Sequence, residues 1–214
     1  MLTADQIEKN WNSFFDITTQ YIESSKNPDR WKLLSEFYDK HANKIAVIPA
    51  SSKTSYHNAF EGGYVDHVLR VYDAAFKFAS LWKEYRGKLD FRMEELAMVA
   101  LNHDLGKIGD EVNDYYVEQD SKWHRERGEL YKYNPALPFM KVSDRSLFLL
   151  QKIGVELSEK EYLAIKLHDG LYEEANKSYY VAFSEEYKLR TDLPYILHQA
   201  DLLSARVESP IKKF

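Results

Sequence analysis

Leu101-Asn102-His103-Asp104-Leu105-Gly106-Lys107 closes a stretch that begins near Met93, and the reading of the fold turns on it. The spacing predicts a helix from about Met93 to Asp104 that ends near Gly106, where the chain can turn away. Adjacent helical positions diverge by about 100 degrees, so His103 and Asp104 address one point only if both flank the inward direction at the helix end. Taken alone, the dipeptide is no more than a polar helix terminus. Its weight comes from what lies on either side.

Upstream, Gly62-Gly63-Tyr64-Val65-Asp66-His67 opens a long amphipathic stretch reaching about Tyr85. Its apolar positions are Val65, Val68, Leu69, Tyr72, Ala75, Phe76 and Ala79, the spacing of one helical face, and the same stretch carries His67. Downstream, Ser158-Glu159-Lys160-Glu161 reads as a capping box stapled by Leu157 and Tyr162, and its helix ends near His168-Asp169-Gly170. A last helix, roughly Leu193 to Val207, carries His198 and Asp201. At the other end of the chain, Thr3-Ala4-Asp5-Gln6 is a further capping box, with Leu2 and Ile7 as its staple. Asn27-Pro28 offers a cap and a first-position proline for a second helix, with Trp31, Leu34, Phe37 and Tyr38 on one face. Residues 108–134, charged and tyrosine-rich, read as a surface excursion or short helices over a site mouth. Residues 172–187 read as a loop or a short hairpin. The expectation is an all-α protein in which residues 1–50 form a helical extension on a helical domain at 51–214.

The chain has 214 residues, 44% hydrophobic and 29% charged, which suits one folding unit with a packed interior. Its net charge is -5 and its Lys and Arg are scattered among acids, so non-specific duplex binding has little electrostatic support, while small anions remain open as ligands. It has no cysteine, so disulfides and thiolate ligands are excluded and any metal must rely on His, Asp, Glu and water. The N-terminus lacks a basic segment followed by an apolar run, and no stretch approaches bilayer-spanning length. A cytoplasmic protein without a membrane partner is expected; nothing in the pattern fixes an oligomeric state.

A catalytic divalent metal wants neutral imidazoles and carboxylates converging with a position left for water, and in a helical bundle these come from different helices. His67, His103, Asp104 and Asp201 can supply such a set. The order of a histidine, a later His-Asp pair and a distant aspartate, over about residues 56–206, resembles the HD superfamily of metal-dependent phosphohydrolases. The stretch Tyr56-His57-Asn58-Ala59-Phe60-Glu61-Gly62-Gly63 is similar to the loop before the first metal histidine in HD proteins of the exoribonuclease and relaxase-associated type. The resemblance implies an HD-domain helical bundle with a divalent ion (Mn, Mg, Co, Ni or Fe) in a central cleft. It also implies hydrolysis of a phosphoester or phosphoanhydride in a small, nucleotide-type substrate, or of a short single-stranded nucleic acid.

HD proteins with two metals are similar in adding two histidines between the His-Asp pair and the last aspartate, and His124 and His168 lie in that interval. His168, in Ile165-Lys166-Leu167-His168-Asp169-Gly170, matches the family setting, although many members have a second histidine where Asp169 stands. His124, in Trp123-His124-Arg125-Glu126-Arg127-Gly128, competes with Val142-Ser143-Asp144-Arg145-Ser146, which would put Ser143 in the ligand position. In that second alignment one metal is tightly held and His124 faces substrate. For a phosphoester, Asp104 is expected to hold the ion and, with a second ion, to bridge both, Lys107 and Arg70 to neutralise phosphate, and His124 or His57 to protonate the leaving oxygen. Lys107 and Arg70 also read as solvated surface charge, the reading the sequence favours for Arg70; His41 reads as a structural helix end, and His198 as a core residue or a partner of Asp201. An HD-type di-iron oxygenase, needing both His124 and His168, and a nucleotide-binding regulator are the alternative readings.

Overall fold

A computed structural model describes residues 1–210. It is mostly helical, as the periodicity predicts. α1 (Ala4–Ser24) starts on the expected capping box: Thr3 accepts from the Gln6 amide and the Gln6 side chain returns the bond to the Thr3 amide. α2 (Pro28–Lys40) has proline at its start, but the Asn27 side chain makes no capping bond. The Asn27 amide instead donates to Ser25 Oγ, so the proline's preset φ opens this helix without a side-chain cap. A one-turn α3 (Ala42–Ile45) leads into an irregular loop, and α4 (Gly63–Arg86) follows.

α5 (Met93–Asn102) ends at His103, and residues Leu105–Ile108 form a 3-10 turn. The charged excursion that follows is a small antiparallel hairpin, β1 (Tyr116–Glu118) against β2 (Tyr131–Tyr133), with α6 (Lys122–Glu126) between the strands. α7 (Val142–Ile153) was not anticipated as a helix. α8 (Glu159–Leu167) starts on the Ser158–Glu161 capping box as expected. Residues 172–187 form short helical turns and α9 (Lys177–Tyr180), with no strand there. α10 (Leu193–Glu208) ends the described chain; residues 211–214 of the expected domain lie outside the described residues. No helix is long and apolar enough to cross a membrane, among the described residues.

α4 lies along α10 and both pack on α5, α10 packs on α8 as well, and α1 covers α2 and α4. One core cluster joins Phe14, Trp31, Leu34 and Tyr38 of the first two helices to Val68, Leu101, Leu150, Ile165 and Leu197 of the later ones. α2 is also tied inward by charge. Arg30, only 5% exposed, donates to Glu94 on α5 at 2.8 Å and to the fully buried Glu161 on α8 at 3.0 Å. Trp31 Nε1 donates to the same Glu94 carboxylate.

Candidate metal centre

Four helices bring the site residues to one buried point. His67 lies in the second turn of α4, His103 at the end of α5, His168 at the end of α8, and Asp201 within α10. Asp104 follows His103 into the 3-10 turn, and that turn is held by α7. The Gly106 amide donates to Ser146 Oγ at 2.8 Å, and the same hydroxyl faces the His103 carbonyl at 2.8 Å. Gly106 is needed there because a Cβ would lie 2.3 Å from the Val142 carbonyl oxygen. Asn102 braces the turn from behind, accepting from the buried Tyr38 hydroxyl at 2.6 Å.

His67, His103 and Asp104 each offer a ligand atom within 4.8 Å of the others, and all three residues are buried. Asp104 is the hub: its carboxylate oxygens lie 3.6 Å from His67 Nε2, 3.5 Å from His103 Nε2 and 3.6 Å from His168 Nε2. Asp201 Oδ1 stands 3.2 Å from His67 Nε2. Yet the Nε2 atoms of both His67 and His103 are buried without a hydrogen-bond partner of proper geometry. Each ring is fixed by its other nitrogen: His103 Nδ1 faces the Ala100 carbonyl at 2.9 Å, His168 Nδ1 the Ile165 carbonyl at 2.8 Å, and His67 Nδ1 the Glu208 carboxylate at 2.9 Å. With a proton on each Nδ1, the three Nε2 lone pairs point towards the carboxylates. This donor set fits a divalent cation: neutral imidazoles anchored by outer acceptors, with carboxylates between them.

The electrostatics show how strongly these groups interact. Burial and the neighbouring His168 push His103 down to about 4. Burial also disfavours a charged His67, but Asp201 and Glu208 outweigh it and draw the ring up to about 9. His168 reaches about 10 against the same penalty, through Asp169 and Asp104. Burial opposes ionisation of Asp104 and Asp201 too, yet the cations and rings around them hold both carboxyls below the usual range.

The remaining expected residues separate into two groups. Lys107, 7% exposed, sits 2.5 Å from Asp104 Oδ2, and its ammonium is stabilised by that carboxylate despite burial. His57 sets its ring, tilted, 4.5 Å from that of His67, with a buried, unpartnered Nε2, and burial beside Lys107 lowers it to about 3. Arg70 is turned to Glu208, Nε donating at 2.9 Å. His198 donates from Nδ1 to the His168 carbonyl at 2.7 Å, so it supports a neighbouring histidine rather than Asp201. His124 is not brought into the group: α6 carries it out on the hairpin, 41% exposed, with Nδ1 2.6 Å from Glu129. The competing segment Val142–Ser146 does border the site, with Val142 lining the same cleft as Asp104 and Lys107.

Glu208 is the residue the sequence reading missed. The signal was its spacing: Asp201 and Glu208 are seven residues apart on α10, two turns along one face. No protein-family model matches the chain, and no solved structure matches it.

Proposed function

We propose that this protein is a metal-dependent phosphohydrolase of the HD type, acting on a nucleotide-type substrate. The observation that carries the proposal is the pair of buried, unpartnered Nε2 atoms of His67 and His103 set against the Asp104 carboxylate. His67, His103, Asp104 and Asp201 would hold the ion, with His168 at its edge. A divalent cation held there supplies Lewis acidity and lowers the pKa of a bound water from about 15.7 towards about 7.

The chain's own residues supply charge and orientation. A cleft of about 310 Å³, the small end of ligand-binding volumes, opens beside Asp104 and Lys107 and is bounded by Tyr115, Lys141 and Tyr172. Lys107 keeps its proton throughout the neutral range and brings positive charge to a phosphoryl group, with Lys141 nearer the rim. His57, neutral beside His67, would offer substrate its unpartnered Nε2 as a hydrogen-bonding group rather than a charge. Placement of His124 on the hairpin leaves the di-iron reading without one of its ligands and favours a single tightly held ion.

The test is metal analysis followed by phosphate release from nucleoside mono-, di- and triphosphates, cyclic dinucleotides and short single-stranded RNA, with Mn, Mg, Co, Ni and Fe. Metal-dependent release is the expected result. Two irons per chain with oxygen consumption and no phosphate release would establish the oxygenase reading instead. Nucleotide binding without turnover under any metal would establish the regulator.

A further inference from the structure

Among the three histidines of the centre, His67 differs in how its ring is anchored. Ala100 and Ile165, which anchor His103 and His168, lie in the last turns of α5 and α8, where carbonyls have no intrahelical partner and are free to accept from a ring nitrogen. His67 lies inside α4, whose carbonyls are engaged in the helix, so its Nδ1 needs an acceptor from elsewhere. α10 provides it. Glu208 Oε2 is 2.9 Å from His67 Nδ1, and the Glu208 side chain is only 2% exposed. A carboxylate so buried needs a cation, and Arg70, one turn beyond His67 on α4, donates from Nε to Glu208 Oε1 at 2.9 Å. Arg70 in turn stands 3.7 Å from Asp66, which accepts from Asn58 at 2.9 Å and from Asn10 of α1 at 3.2 Å. α10 therefore offers one carboxylate to each nitrogen of the His67 ring, Asp201 on the Nε2 side and Glu208 on the Nδ1 side.

We infer that Glu208, clamped by Arg70, is the positioning residue that fixes the tautomer and direction of His67 and raises its strength as a metal ligand. Carboxylates behind a ligating imidazole have this effect because they accept the distal N–H and polarise the ring. Arg70 thus serves the centre through Glu208 instead of contacting substrate. The inference rests on His67 being a ligand, and the experiment separates the two.

Full-length wild type, His67→Ala, Glu208→Ala, Glu208→Gln and Arg70→Ala are titrated with Co(II), reading affinity by calorimetry and the visible cobalt bands by absorption, with circular dichroism as the check on folding. Glu208→Ala is expected to weaken Co(II) binding roughly 10- to 100-fold and to shift the cobalt bands. Glu208→Gln, which keeps an acceptor oxygen but not the charge, should lose less. Arg70→Ala, at a half-exposed position, should weaken binding in the same direction, and with Glu208→Gln it decides the matter if Glu208→Ala does not fold. Folded Glu208 and Arg70 variants that bind Co(II) with wild-type affinity and an unchanged spectrum, while His67→Ala loses binding, overturn the inference and leave the metal centre standing. Undiminished binding by His67→Ala, or no uptake by wild type, overturns both.

Discussion

Asp104→Ala is the substitution with the largest consequence, and its cost can be worked from the surroundings of one carboxylate. Asp104 is 4% exposed and is the one ion-pair partner of the buried Lys107 among the described residues. Removing it leaves an ammonium in the interior without a counter-charge, which costs roughly 3–5 kcal/mol. For a chain of this size each kcal/mol moves the melting temperature by about 2–4 °C, so the metal-free variant should melt roughly 6–20 °C below wild type. A second effect appears on adding Mn(II) or Co(II). Wild type at a hundred times its dissociation constant gains about 2.7 kcal/mol, a rise of about 5–11 °C, and the variant gains nothing. Asp104→Asn, which keeps the shape and removes the charge, should also fail to respond to metal. Differential scanning calorimetry with and without the ion measures both effects. A variant that melts with wild type and shows the same metal-dependent rise would refute the placement of the centre.

Three further outcomes follow from the geometry. In the metal-free protein His67 and His168 hold protons up to about 9 and about 10, so their stabilising contribution is complete below the ordinary histidine pKa of about 6.5 and is lost as pH rises through those values. A metal must displace these protons, so Co(II) affinity should climb between about pH 6.5 and 9, and a flat calorimetric profile there would contradict the arrangement. His103, lowered to about 4, contributes in the opposite sense, its stabilisation being lost as pH falls from about 6.5 towards 4, which urea titrations across that range will show. Arg30→Ala strips the cation from the buried Glu161 and the nearer one from Glu94, and should cost roughly 3–5 kcal/mol in urea unfolding; a loss near zero would mean that α2 is not energetically tied to the later helices. Gly170→Ala places a Cβ 2.2 Å from the His198 ring at a φ of +56°, so it should destabilise by more than about 1 kcal/mol and loosen the His198 bond to the His168 carbonyl; an unchanged melting temperature would show that the loop yields freely.

Much of the helical frame was legible because it is written locally. Thr3 and Ser158 announce their helices by capping boxes that form as written, and the 3.6-residue spacing from Val65 to Ala79 marks one face of α4. Asn27 shows the limit of such signals, since its side chain leaves the cap unmade while Pro28 alone sets the start. α7 escaped notice because its role is tertiary: Ser146 and the neighbouring backbone matter through the turn at Gly106, forty residues earlier in the chain. His67, His103, Asp104 and Asp201 were named together in the sequence and lie together in the fold, whereas Glu208 and the reorientation of Arg70 belong to a contact between α4 and α10, of which the Asp201–Glu208 spacing gives only the α10 side. His124 illustrates the converse. Its neighbours looked suitable, but Glu129 on its own hairpin takes the ring nitrogen.

The clamp around Arg30 bears on the modularity of the chain. By sequence, the first fifty residues read as a helical extension packed on the domain that follows. Glu161 has no exposure at all, and its countercharge comes from α2. A fragment beginning at residue 51 would keep both glutamates and lose Arg30, leaving Arg92 beside Glu94 only, together with the Trp31 and Tyr38 rings that seal the same interior. Residue 50 is therefore a seam in the sequence but not in the interior, where α2 supplies the countercharge of Glu161 and part of the core.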